Sequence, residues 1–153
     1  MVDLTVDVQV FMSGTGKGDP RHFEVSHRLL QKIKETEGAQ IVVDDEGHLL
    51  HKFQTCSVRG VGSRLLQEFL DQNKVKFVKR ARVPRAIRNR LKDQKFVGED
   101  LNHVVRTAAA SDSRLLVAHD PHFLAKQVRK ILKSEFGIEV ISAVEGIEHL
   151  TRS

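Results

Sequence analysis

Five short apolar runs, at 4–11, 39–43, 74–78, 114–119 and 137–141, recur along this chain, each separated from the next by a stretch of helical periodicity. Strands spaced this way cannot be joined by tight hairpins. They need crossovers, and right-handed crossovers lay the strands parallel with helices on both faces. The expected fold is α/β: a three-layer α/β/α sandwich with a mainly parallel central sheet. A length of 153 residues suits one such unit, so 1–153 is read as a single domain.

The helical segments fall between these runs. An amphipathic helix is expected over 21–37, with Phe23, Leu29, Leu30 and Ile33 on one face and Gly38 as its stop. Others are expected as a short helix at 48–53, then at 60–71, from Pro84, from about 99 to 110, and from Asp120-Pro121 to about 136. Ser142 and Glu145 have the spacing of a capping box for a final helical turn. All three prolines, Pro20, Pro84 and Pro121, stand at expected helix starts. The glycine-rich loop at 13–18 lacks the order of a phosphate loop, because Lys17 is followed by Gly18 rather than Ser or Thr.

No apolar run reaches the length of a membrane span, and an opening that carries Asp3 and Asp7 is unlike a signal peptide, so a cytoplasmic, membrane-free protein is expected. The single cysteine, Cys56, excludes an internal disulfide and reads as apolar filler. Charge is more informative. Residues 74–92 carry nine basic side chains and no acidic one, whereas the rest of the chain has 16 basic against 20 acidic residues. A dense single-signed window is the footprint of a polyanion-binding face, although a merely solvated helix face is the plainer alternative.

Asp7 sits within the first run, Leu4-Thr5-Val6-Asp7-Val8-Gln9-Val10-Phe11, where a globular core would take another aliphatic residue. A buried carboxylate needs a cationic or hydrogen-bonding partner. In an open parallel sheet, sites form beyond the carboxyl ends of strands, where Asp44 to Glu46 and Asp120 also fall. Asp100, in the first turn of the preceding helix, can reach the same edge. Taken singly, Asp120 is a good helix cap, Asp100 complements a helix dipole, and Asp44-Asp45-Glu46 before Gly47 makes a solvated turn. Together, such acids would repel one another unless joined by a hard divalent cation, Mg2+ or Mn2+, which beside a basic surface points to phosphodiester chemistry. The three-residue spacing of His119 and His122 is not a diagnostic ligand pattern.

The run Val6-Asp7-Val8-Gln9-Val10-Phe11-Met12-Ser13-Gly14 resembles the opening of PIN domains, in which a first strand carries an aspartate. Phe96-Val97-Gly98-Glu99-Asp100-Leu101-Asn102-His103-Val104-Val105 resembles the helix bearing that family's third acid, and Leu115-Leu116-Val117-Ala118-His119-Asp120-Pro121-His122-Phe123 its last acidic strand end. Three positions depart from the pattern. Gln9 stands where an asparagine is usual, His122 replaces a second acid, and Lys52 appears where a glutamate is expected.

The resemblance implies a PIN-like, metal-dependent endoribonuclease. Asp7, Asp100 and Asp120 would hold Mg2+ or Mn2+, with Asp44 or Glu46 assisting, and Lys79, Arg80, Arg82, Arg85 and Arg88 would hold the RNA backbone. Without Tyr or Trp, stacking on bases would fall to Phe53, Phe77 or arginine planes. Lys52 raises two alternatives: its charge could fill the metal site, leaving an RNA- or protein-binding module of weakened chemistry, or an acid from 44–46 could swing in. A metal-dependent phosphatase is disfavoured because position 9 is Gln rather than Asp. Small PIN-like proteins are often toxins paired with an antitoxin or subunits of RNA-processing machines, so the resemblance implies RNA as a partner and allows a homodimer or an inhibitory protein partner.

Overall fold

The computed structural model describes residues 2–152. Five strands, β1 (Val2–Val6), β2 (Ala39–Asp44), β3 (Val75–Val78), β4 (Leu115–Val117) and β5 (Glu139–Ile141), form one sheet in the order β3-β2-β1-β4-β5, and every neighbouring pair is parallel. Helices α1 (Val8–Gly14), α2 (Phe23–Glu35), α3 (His48–Cys56), α4 (Val61–Asp71), α5 (Arg85–Asp93), α6 (Arg106–Ala110), α7 (Pro121–Leu124), α8 (Lys126–Phe136) and α9 (Ala143–Arg152) connect and cover them. The architecture is the expected three-layer α/β/α. One contiguous apolar cluster runs from Leu4 to Leu150, with Phe11, Phe53, Phe69 and Phe123 among its largest fully buried side chains.

The first run is where the chain departs from its pattern. Alternating Val6, Val8 and Val10 read as one strand over 4–11, but the strand ends at Val6 and Val8–Gly14 turn into α1. Seven residues cannot hold a helix by local propensity, so α1 depends on packing. Val10 and Phe11 are fully buried, and Phe11 stacks on Phe53 with ring centroids 4.4 Å apart. Gly14 lets α1 press against α2: a Cβ there would come within 2.5 Å of Leu30 Cδ1 and 3.3 Å of the Ser26 backbone. Asp7 is thereby moved from strand interior to strand end, where its amide donates to the Val117 carbonyl of β4 at 2.9 Å.

Other differences are smaller. The helix expected over 21–37 opens with a 3-10 turn, Pro20–His22, and the one expected from 121 to 136 is broken at Ala125 into α7 and α8. The segment expected from 99 to 110 begins with a π-helical stretch, Asp100–Val105, before α6. The turn expected after Ser142 extends to ten residues. Its capping box is present, with Ser142 N donating to Glu145 Oε1 at 3.0 Å and Glu145 N to Ser142 Oγ at 3.2 Å. Asp19 and Asp120 cap their proline-led turns, accepting from Arg21 N and His122 N at 3.0 and 2.8 Å. Among the described residues, no helix is long and apolar enough to cross a membrane.

Candidate active site

Strand order reverses between β1 and β4, and in open parallel sheets that reversal opens a crevice beyond the strand ends. Asp7 follows β1 directly, and Asp120 caps α7 just after β4. Asp100 joins them from the π-helical stretch, a geometry that recurs at functional sites. All three line a cavity of about 210 Å³, together with Gln9, Lys52, Glu99 and His103. A larger hollow of about 440 Å³, between α8 and β5, has a single acid in its lining, Glu139, and volume alone does not make a site.

Two aspartates on either end of β1 show what is unusual about this cavity. Asp3 is buried, but it accepts from Asp112 N, Ser113 N and Lys76 Nζ, and these bonds outweigh burial to bring its pKa down to about 2. Asp7 is 2 % exposed, and its Oδ2 has no hydrogen-bond partner. Burial first, then the charges of Asp100 and Asp120, raise its pKa to about 7; the nearby Val8 and Gln9 amides oppose this too weakly. Asp100 is also pushed up, by burial and then by Asp120, against a smaller opposing effect of His122. The sequence forms every bond Asp3 needs and leaves Asp7 wanting a positive charge.

Lys52 does line the cavity, but its Nζ lies 2.9 Å from Glu99 Oε2. Each holds the other charged: the pair raises the lysine pKa and lowers that of the glutamate. Glu99 is a cavity residue the sequence reading passed over; its only signal was adjacency to Asp100.

The second acidic group goes elsewhere. Asp44 ends β2 with its side chain fully buried, accepting from His48 N at 3.0 Å and Leu49 N at 2.9 Å. Gly47, at φ 86°, turns the chain back so that these amides reach it. Burial would raise the Asp44 pKa, but the two amides and His48 pull it below its ordinary value. Asp44 therefore starts α3 and does not line the cavity. Glu46 turns outward to Arg80 and His48, at 3.1 and 3.4 Å, and its pKa falls mainly through Arg80.

The basic window abuts the cavity through one residue. Arg80, with 12 % of its side chain exposed, donates to the Asn102 carbonyl and approaches His103 Nδ1 at 3.2 Å, and Arg88 donates to Asn102 Oδ1. These bonds tie α5 and its approach to the helix that carries Asp100. Lys79, Arg82 and Arg85 are exposed. Of the expected stacking residues, Phe53 is core, buried against Phe11, whereas Phe77 is half exposed on β3 at the edge of the sheet.

Three oxygen-donor carboxylates around one cavity, one with an orphaned buried oxygen, are chemically suited to a hard divalent cation. They are not drawn into a tight ligand set: among the described residues no group of three or more His, Cys, Asp or Glu side chains is gathered so as to hold a metal ion. Burial first, and the neighbouring carboxylates second, disfavour the ionised forms of Asp7 and Asp100. No protein-family model matches the chain, and no curated protein matches it.

Proposed function

We propose that the chain is a PIN-like, divalent-metal-dependent endoribonuclease whose centre is Asp7, Asp100 and Asp120. The observation that carries this reading is the convergence of three carboxylates on one cavity at the β1/β4 reversal, with Asp7 buried and its Oδ2 without a hydrogen-bond partner. Strongly perturbed acids grouped in a cleft are the physical mark of chemistry rather than of structure, and Asp3 shows what this fold does when a buried aspartate is structural. The strand order alone is shared by many functions and does not carry the reading.

In this reading the three carboxylates hold Mg2+ or Mn2+, which when bound supplies an activated water and neutralises charge developing on the phosphodiester. Asp7 would hold the cation in its ionised form, so protonation below about pH 7 would oppose binding. Exposed Gln9, on the cavity wall, hydrogen-bonds the phosphate or ribose. Lys79, Arg82 and Arg85 hold the backbone to either side, which gives affinity with little sequence information. Arg80 and Arg88 position α5 against the cavity and contact RNA less.

Lys52 favours a second reading, an RNA-holding module without cleavage, because it brings a cation to the cavity rim. Incubating labelled single-stranded and structured RNA with the protein, in Mn2+ or in chelator, separates the two. The nuclease reading expects cleavage that needs the metal and disappears in Asp7→Asn. Binding without cleavage selects the second reading, and equal cleavage by Asp7→Asn overturns the proposed centre.

A further inference from the structure

His22 and His119 lie face to face, ring centroids 4.0 Å apart and planes within 5°. They come from different parts of the fold: His22 closes the 3-10 turn before α2, and His119 follows β4. His119 is the inner ring, its Nδ1 buried without a hydrogen-bond partner, while His22 is the outer one, with 37 % of its side chain exposed. Together with Gln9, Ser13, Asp19 and Asp120 they line a hollow of about 290 Å³. Gln9 and Asp120 also line the carboxylate cavity, so the two spaces are neighbours sharing a wall.

On the far side of this wall from the carboxylates lie the stacked rings of His22 and His119. Two carboxylates line the hollow: Asp120 accepts from His122 N, and Asp19 lies 4.0 Å from His22 Nε2. Asp19 is held by Arg21, whose Nε and Nη2 donate to its two oxygens at 2.7 to 3.1 Å, and the Arg21 side chain is 87 % exposed. The other stacked histidine pair, His48 and His103, is committed elsewhere: Arg80 holds His103, and Glu46 holds His48. The chain has no Tyr or Trp, and Phe53 is sealed in the core, so few other rings are available near the cavity.

We propose that the His22–His119 pair is a nucleobase-stacking subsite, which takes the base of the nucleotide adjoining the one held at the carboxylate cavity. It rests on the reading of the cavity as an RNA site and adds a substrate class to it. A base can add to the stack only if it is unpaired, so the substrate is single-stranded; stacking tolerates any base because each has a π-face.

The test uses short single-stranded RNA containing 2-aminopurine, in low salt with Ca2+ in place of Mn2+ so that the cavity keeps a divalent cation while cleavage is suppressed, and a matching oligonucleotide of abasic nucleotides. Wild-type protein is expected to quench the 2-aminopurine. His22→Ala is expected to abolish the quenching and weaken binding about tenfold, His22→Phe to restore both, and the abasic strand to bind wild type and His22→Ala equally. Unchanged affinity and quenching in His22→Ala would overturn the subsite, as would an equal loss on the abasic strand. The two readings fail separately. Quenching that depends on His22 without Mn2+-dependent cleavage removes the nuclease and keeps the subsite, whereas cleavage with no dependence on His22 or on bases does the reverse. RNA that does not bind in any form overturns both.

Discussion

Lys52 donates to Glu99 across 2.9 Å and leaves Asp7 Oδ2 without a partner, although both side chains line the same cavity. The positive charge that a buried Asp7 calls for is thus present in the cavity wall but committed at the rim. If the cavity takes a divalent cation, this ammonium competes with it. Lys52→Ala should therefore tighten Mn2+ binding several-fold by calorimetry, and because the pair is exposed its loss should leave the melting temperature nearly unchanged. Weaker Mn2+ binding in this variant would mean that Lys52 supports the site.

The raised pKa of Asp7 has a thermodynamic consequence. Between about pH 4 and pH 7 the unfolded chain has released this proton while the folded chain still holds it, so stability falls as pH rises through that window. Moving from an unfolded value of 3.8 to about 7 costs at most about 4 kcal/mol above pH 7. Asp7→Asn should remove the slope and make the protein more stable than wild type at pH 8, read from denaturant melts across pH. A wild-type curve that is flat from pH 4 to 7 would show that Asp7 has a partner in solution.

Asp44 has the opposite character. Its carboxylate satisfies two amides at the start of α3, and removing it orphans them in a buried place. Asp44→Ala should cost about 2 kcal/mol in unfolding free energy while leaving Mn2+ affinity unchanged. Lost metal binding in a variant that still folds would return Asp44 to the site.

Within the basic window the structure separates exposed side chains, Lys79, Arg82 and Arg85, from Arg80, which is held by protein groups. Replacing Lys79, Arg82 and Arg85 with Gln should lower RNA affinity and reduce the salt slope of single-strand binding by roughly 2, as about 0.7 per phosphate contact implies. Arg80→Gln should chiefly lower stability, because that side chain is mostly buried in bonds to Asn102, His103 and Glu46. An unchanged salt slope in the triple variant would move the RNA face elsewhere.

Much of the fold was legible because strand runs, prolines and caps agreed: Asp19-Pro20, Asp120-Pro121 and Ser142 with Glu145 all act as their patterns suggest. The misread segment, 7–14, failed for a definable reason. Its valines alternate with the period of a strand, and only the packing of Phe11 on Phe53 and of Gly14 on α2 makes it helical. In the site, the grouping of Asp7 and Asp120 followed from where strands end, and that of Asp100 from the helix that leads into β4. The separate fate of Asp44 did not, because a carboxylate that caps a helix and one that lines a cleft look alike in sequence. The pairing of Lys52 with Glu99 and of His22 with His119 joins residues distant along the chain, and no local pattern marks such contacts.

Manganese titration followed by electron paramagnetic resonance, at pH 8 and low salt, tests the shared-cation account most directly. One Mn2+ is predicted to bind per wild-type chain and to be lost in Asp7→Asn and in Asp100→Asn, with both variants folded. Wild-type protein that takes up no Mn2+, or takes it up equally in both variants, would contradict a cation shared by Asp7, Asp100 and Asp120.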